Sequence, residues 1–190
     1  MQEQLEQALP TRLFHWIQVG LVFILIFTGF SFTYAGATQI PVHTLRLFHA
    51  TTGYLLIINL ALYCYYNAVS GAYKRILFGL KDLQNLWSVI KYAFFLKKSY
   101  PHTGKYNGLQ KALFSIWLIV LTSLIITGFM LLFVEDFSWG QRILGGLSNL
   151  RVLHFSGAIF MTSTISGHIY LALTEDPAKL QAIFTGYIKE

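Results

Sequence analysis

Four of the six histidines, His15, His49, His154 and His168, stand inside long apolar stretches. An ionisable side chain is costly in such a setting and usually functional. A buried imidazole is either a hydrogen-bonding residue of the interior or, through a ring nitrogen, a metal ligand. His154 and His168 are fourteen residues apart, which on a helix leaves them about 40° from one face and about 21 Å apart along the axis. One helix therefore presents two imidazoles on nearly one side at two depths. Three of the histidines have an arginine three residues before them: Arg12, Arg46 and Arg151. That spacing puts guanidinium and imidazole on a common helix face. The cation there suits either a carboxylate of a bound group or the simple anchoring of a helix end at the lipid headgroups.

The elements that must position these groups follow from composition. Of 190 residues, 55% are hydrophobic and 12% charged, whereas a soluble domain carries about a quarter of its residues as charges. Stretches at 13–34, 46–66, 111–134 and 151–174 are each long and apolar enough to cross about 30 Å of hydrocarbon, which takes roughly 20 helical residues. They lack the period-two alternation of a barrel strand, so helices are the remaining way to satisfy backbone groups in lipid. The expected fold is all-α, a single integral membrane four-helix bundle over residues 1–190. The first span follows Glu3 and Glu6 and precedes no small-residue cleavage site, so it reads as a retained span rather than a signal peptide. Cys64 is the lone cysteine and reads as a packing residue of the second span.

Charge sets the expected orientation. Counting from the N-terminal side, eleven of the fourteen Lys and Arg residues fall on that side, and only Arg46, Arg142 and Arg151 on the other. The positive-inside bias makes the N-terminal side cytoplasmic, with both termini there. The net charge of +6 then matches anionic lipid headgroups and gives no case for nucleic acid. Between spans two and three, Leu80, Leu83, Leu86, Trp87, Ile90 and Phe94 recur at helical spacing within residues 78–98. That pattern predicts an amphipathic helix, either in the membrane interface or against a partner subunit. Pro101 marks its end and Gly104 a turn.

With this topology, His49 and His154 lie near the periplasmic side, and His15 and His168 near the cytoplasmic side. Two histidine pairs at matched depths are what two six-coordinate haems require. Zinc also takes nitrogen ligands, but two histidines leave its tetrahedral shell half empty. Gly20, Gly53, Gly157 and Gly167 either let a flat macrocycle approach the backbone or serve as helix-crossing contacts. His43 and His102 read as solvated loop residues. An internal echo accompanies the pattern: Phe27-Thr28-Gly29-Phe30 in span one matches Ile126-Thr127-Gly128-Phe129 in span three, while Arg46 to His49 and Arg151 to His154 open spans two and four. Two divergent copies of one hairpin explain this. The liking of membrane helices for small residues at contacts explains the Thr-Gly pairs equally well.

The run Arg12-Leu13-Phe14-His15-Trp16, the run Leu45-Arg46-Leu47-Phe48-His49 with Gly53, and the His154/His168 spacing resemble the prokaryotic cytochrome b561 superfamily. Within it, the segment from Gly104 to Lys111 and the tail from Ala182 to Glu190 resemble the gamma subunit of respiratory formate dehydrogenase. The resemblance implies a bacterial inner membrane and two haem b groups, one on His49/His154 and one on His15/His168. It also implies an iron-sulfur subunit and a catalytic molybdenum or tungsten subunit as partners, and quinone as substrate against His168, Asn107 and Gln110. In the residues themselves, Asn107 and Gln110 also fit an N-terminal capping box, and Leu109 departs from the glycine usual before the glutamine. The expected function is a membrane-anchoring cytochrome that carries electrons from a periplasm-facing dehydrogenase, formate dehydrogenase first, to quinone. The alternatives are the cytochrome subunit of a nickel-iron hydrogenase, against which the Gly104 to Asn107 segment speaks, or a stand-alone quinol oxidase. No nucleotide loop or cluster-binding cysteine set is present, so the chain by itself oxidises neither formate nor hydrogen.

Overall fold

The computed structural model describes residues 3–34, 38–99, 105–174 and 177–189; Pro101, His102 and Gly104 lie outside these. In chain order the elements are β1 (Glu3–Leu5), α1 (Leu9–Thr33), α2 (Val42–Val69), α3 (Tyr73–Ile76), α4 (Leu83–Ala93), α5 (Gly108–Leu132), α6 (Ser138–Ile143), α7 (Leu147–Thr174), α8 (Pro177–Thr185) and β2 (Tyr187–Lys189). Proline stands in the first turn of α1, where a missing N–H costs no helical bond. The four long helices pack mainly as two hairpins, α1 on α2 and α5 on α7. This is the two-by-two plan that the internal echo suggests.

Among the described residues, α1, α2 and α5 are long and apolar enough to cross a membrane. The fourth expected span is a helix, α7, whose 28 residues reach about 42 Å, but it falls short on apolarity. The reason is visible in its composition, since Thr162, Ser163, Thr164 and Ser166 follow one another closely in its second half. Each of these hydroxyls donates to the carbonyl four residues earlier, at 2.8 to 2.9 Å. The polarity is thus absorbed within the helix itself.

The surface is apolar where a soluble protein would be polar. Leu47, Ile58, Ile119 and Tyr170 are each more than half exposed, while the buried set includes Thr28, Thr52, Asn59 and Thr127 beside Leu45, Leu56 and Leu150. Asn59 of α2 donates to Gln18 Oε1 at 2.8 Å, tying it to α1 through a polar contact that a low-dielectric setting strengthens. Lipid-facing helices have this inside-out character.

The loop helix exists but is shorter than its periodicity suggests: a 3-10 turn at Leu80–Asp82 leads into α4, which ends at Ala93. It packs on α5, and Val89 is its buried residue. Leu80, Leu83 and Trp87 stay exposed. The all-α expectation needs one correction, because β1 and β2 pair antiparallel, Glu3 opposite Lys189 and Leu5 opposite Tyr187. Three-residue strands carry too few positions to show a period. This ribbon brings Glu3–Leu5 and Tyr187–Lys189 together. His43, expected in a loop, stands exposed in the first turn of α2, which starts earlier than the apolar run.

Candidate functional site

The structure brings His49 of α2 and His154 of α7 together across the bundle, with ring centroids 6.3 Å apart and planes at 67°. A metal bonded to two imidazole nitrogens at about 2 Å separates the ring centres by roughly 6 Å. The pair thus already has the spacing of two axial ligands. Each ring is held from behind in the same way. Thr28 Oγ1 lies 2.9 Å from His49 Nδ1, and Thr127 Oγ1 lies 2.9 Å from His154 Nδ1. The glycines that follow these threonines bring a backbone up to each ring: a Cβ on Gly29 would stand 3.2 Å from His49 Cε1, and one on Gly128 3.4 Å from His154 Cε1. Phe32 meets His49 edge-on at 5.3 Å.

At the other end, His15 of α1 and His168 of α7 are close enough to interact electrostatically. Their surroundings differ from those of the first pair. His15 Nδ1 is buried with no hydrogen-bond partner, and Trp16 packs edge-on to the ring at 5.1 Å. His168 meets the edge of Trp117 at 5.3 Å, and Trp117 Nε1 donates to Thr164 Oγ1 at 2.8 Å. Trp117 was not legible as a site residue, because its position opposite His168 arises from the packing of α5 on α7.

The donor set fits haem b. In one pair two imidazoles approach to 6.3 Å between ring centroids, close enough for one iron to be held by both, and in the other a buried ring nitrogen is left without a protein partner. A Cβ on Gly20, Gly53 or Gly167 would meet nothing within 4 Å, so none of these three is a helix-crossing contact. Gly157 differs, since its Cβ would stand 3.0 Å from Leu124 Cδ2; it is a helix-crossing contact between α7 and α5.

The arginines divide. Arg46 and Arg151 are exposed at the starts of their helices. Arg12 is not available in the same way, because it donates through Nη2 to the carbonyl of Phe184 while its Nε is buried without a partner. Trp16 Nε1 donates to the carbonyl of Ile183 at 3.1 Å and its ring packs on Phe184 at 4.6 Å. The C-terminal segment therefore clamps the first turns of α1 beside His15, an arrangement no sequence signal announced.

Asn107 and Gln110 form the capping box of α5. Asn107 Oδ1 accepts from the Gln110 backbone N–H at 2.8 Å, and Gln110 Oε1 accepts from the Asn107 N–H at 3.0 Å. Asn85 Oδ1 accepts from the Gly108 N–H at 2.6 Å, and Lys111 pairs with Asp82 at 2.7 Å. The Lys111 hydrogen bond, with the Gly79 N–H, holds the Asp82 carboxyl below its ordinary range. From this loop a file of rings runs inward: Tyr106 on Phe114 at 5.5 Å, Phe114 on Trp117 at 6.2 Å, and Trp117 on His168. A cavity of about 240 Å³ of mixed character lies at the same end, bordered by Leu5, Ala8 and Ile76 as well as Gln7, Arg75 and Lys105. Asn107 and Gln110 do not line it. Burial raises the Tyr106 hydroxyl, and Gln7 donates to it at 3.2 Å.

Comparison with known proteins adds the family. The family model described as prokaryotic cytochrome b561 matches residues 6–186. Similar chains include a probable Ni/Fe-hydrogenase B-type cytochrome subunit of Azotobacter vinelandii, 25% identical over 93% of this chain and 82% of that one. A probable Ni/Fe-hydrogenase 1 B-type cytochrome subunit of Escherichia coli K12 is 26% identical over 88% and 81%. A putative protein-methionine-sulfoxide reductase subunit of Azospira oryzae is 23% identical over 93% of each. These relatives favour the hydrogenase cytochromes over the formate dehydrogenase gamma subunit, and they leave the iron-sulfur and molybdenum or tungsten partners without support. The reason is local. The Gly104 to Lys111 segment, which pointed to formate dehydrogenase, contains the capping box of α5, a motif that serves a helix start whatever the partner.

Proposed function

Because the chain belongs to the prokaryotic cytochrome b561 family, we propose that it is the membrane-anchoring di-haem cytochrome b subunit of a nickel-iron hydrogenase-type complex, passing electrons to quinone. The family makes it a membrane b-type cytochrome that transfers electrons. The observation that carries the haem reading is the 6.3 Å approach of His49 and His154, and the hydrogenase-type partner is supported by the relatives. His15 and His168 would hold the second group, and a haem b at each pair would supply a one-electron carrier. The chain's residues fix two imidazole pairs in a low-dielectric interior about 21 Å apart along α7, on helices whose lipid-facing sides exclude water. Arg46 and Arg151 would be the residues to pair with the carboxylates of a haem at the His49 pair, with Arg12 a weaker candidate at the other end because of its Phe184 contact.

The positive-inside bias puts the His49 pair on the periplasmic side and both termini in the cytoplasm, with α4 in the cytoplasmic interface, its exposed Leu83 and Trp87 toward lipid. The quinone lies beside His168, near Asn107 and Gln110, with the rings from Tyr106 to Trp117 lining the approach. A catalytic hydrogenase module docks on the periplasmic face. The sulfoxide reductase relative supports a second reading, in which the same relay runs from quinol to a reductase partner.

The test is purification of the intact complex from membranes. Two haem b per chain by absorption spectroscopy, a copurifying nickel-iron protein and hydrogen-driven quinone reduction are the expected results. A chain without haem overturns the cytochrome reading. A copurifying reductase in place of the hydrogenase replaces the first partner by the second.

A further inference from the structure

The geometry points to Thr28 and Thr127 as positioning residues that fix the tautomer of His49 and His154, each with its glycine forming one half of a duplicated ligand cradle. The inference rests on the di-haem reading. Its first support is hydrogen-bond accounting. The Thr28 hydroxyl has an acceptor of its own in the Ile24 carbonyl at 2.7 Å, and Thr127 has one in Ser123 O at 2.8 Å; the Leu25 carbonyl lies by the His49 ring and the Leu124 carbonyl by the His154 ring. Every one of these groups is satisfied when Nδ1 carries the ring proton and the threonine oxygen accepts it. This accounting assigns the proton of both rings to Nδ1. Both Nε2 lone pairs are left for a metal on the side away from the threonines.

The second support is the repetition. In each hairpin the first helix contributes Thr-Gly and the second contributes the histidine, so the same contact is made twice by different residues. Thr28 and Thr127 are buried, at 4% exposure each, where an unpaired Nδ1–H is costly. Gly29 and Gly128 let the helix backbone lie against the ring edge, so the imidazole is bounded on the flank and fixed from behind. A stripe of small residues chosen only for helix crossing needs neither the hydroxyl nor the ring contact.

An acceptor on Nδ1–H raises the basicity of the ligating nitrogen and favours oxidised iron. Losing it should make the periplasmic-side haem easier to reduce. The experiment is a redox titration of the purified complex carrying T28V, T127V and the conservative T28S and T127S. Each valine variant is expected to raise the potential of one haem, changing its oxidised-to-reduced ratio at fixed potential by up to about tenfold. The serine variants should restore the wild-type titration, and the second haem should not move. Unmoved potentials in both valine variants, or equal shifts of both haems, would overturn the inference. If the wild-type complex holds no haem, the cytochrome reading fails instead, and the two failures are distinguished by that control.

Discussion

The two histidine pairs occupy opposite ends of the same bundle and are held by different means. At the His49 pair every ring has a hydroxyl at 2.9 Å behind it and a glycine backbone at its edge. At the His15 pair one ring nitrogen is buried without a partner, and aromatic edges from Trp16 and Trp117 take the place of hydroxyls. The hairpin repeat explains the contrast. His49 and His154 are equivalent positions of the two copies, whereas His15 and His168 are not. Counted back from the Thr-Gly pair, the α5 position matching His15 is Phe114; counted on from His49, the α2 position matching His168 is Tyr63. The Thr-Gly contact is made twice at the His49 end, whereas the His15 end has an aromatic file and a cavity beside it. A site that exchanges electrons with a diffusing partner has use for such an open, ring-lined approach.

The comparison breaks most completely at the ligands. His154→Ala is expected to remove the haem of the His49 pair and His168→Ala that of the His15 pair, each halving haem per chain in quantitative absorption. If either variant lost both groups or neither, the two ends would not be independent sites. Next in size are the glycines of the cradle. G29A should destabilise by about 1–3 kcal/mol, as crowding a filled interior does, and G128A by less because its ring is farther away. G53A, which meets nothing within 4 Å, should not destabilise and should gain about 0.5–1 kcal/mol of helix propensity. Thermal unfolding of the three variants checks the order.

A smaller effect is expected from Trp117→Phe. It keeps the ring beside His168 but loses the bond to Thr164, worth about 1 kcal/mol. The spectrum of the His15-pair haem should change and that of the other should not. Smallest is the Lys111–Asp82 pair that ties the turn before α4 to α5. Its carboxyl is held below the ordinary range, so its contribution is present above the ordinary pKa near 3.9 and is lost only as pH falls through the lower folded value. Wild type and D82N should then differ by a constant small amount from pH 5 to 8, and converge in more acidic solution. A difference that varied across neutral pH would assign the coupling to another group.

Much of this arrangement follows from the chain order of residue types. The fourteen-residue spacing of His154 and His168, the arginines before three histidines and the two Thr-Gly hairpins are local or periodic, and helical geometry converts them directly into faces and depths. The amphipathic loop helix is legible for the same reason, although its ends at Leu83 and Ala93 are set by the turn at Asp82 and the packing on α5. The fourth expected span is a helix, α7, but it falls short of the other three in apolarity, because the Ser and Thr residues of its second half dilute the apolar run. The capping box misled as to partner because a local helix start looks the same in any complex.

What only the tertiary structure decided are contacts between residues far apart in the chain. Thr28 and His49 are 21 positions apart and Thr127 and His154 are 27; no period links them, so a Thr-Gly pair that grips a ligand and one that merely lets helices cross read identically until the helices are packed. The clamp of Phe184 on Arg12 spans 172 positions, and the three-residue ribbon beside it has too few residues to show an alternation. Patterns repeated within one element are written in the sequence. The partner that a side chain meets across elements is a property of the assembled bundle, because it depends on how all four long helices turn their faces at once.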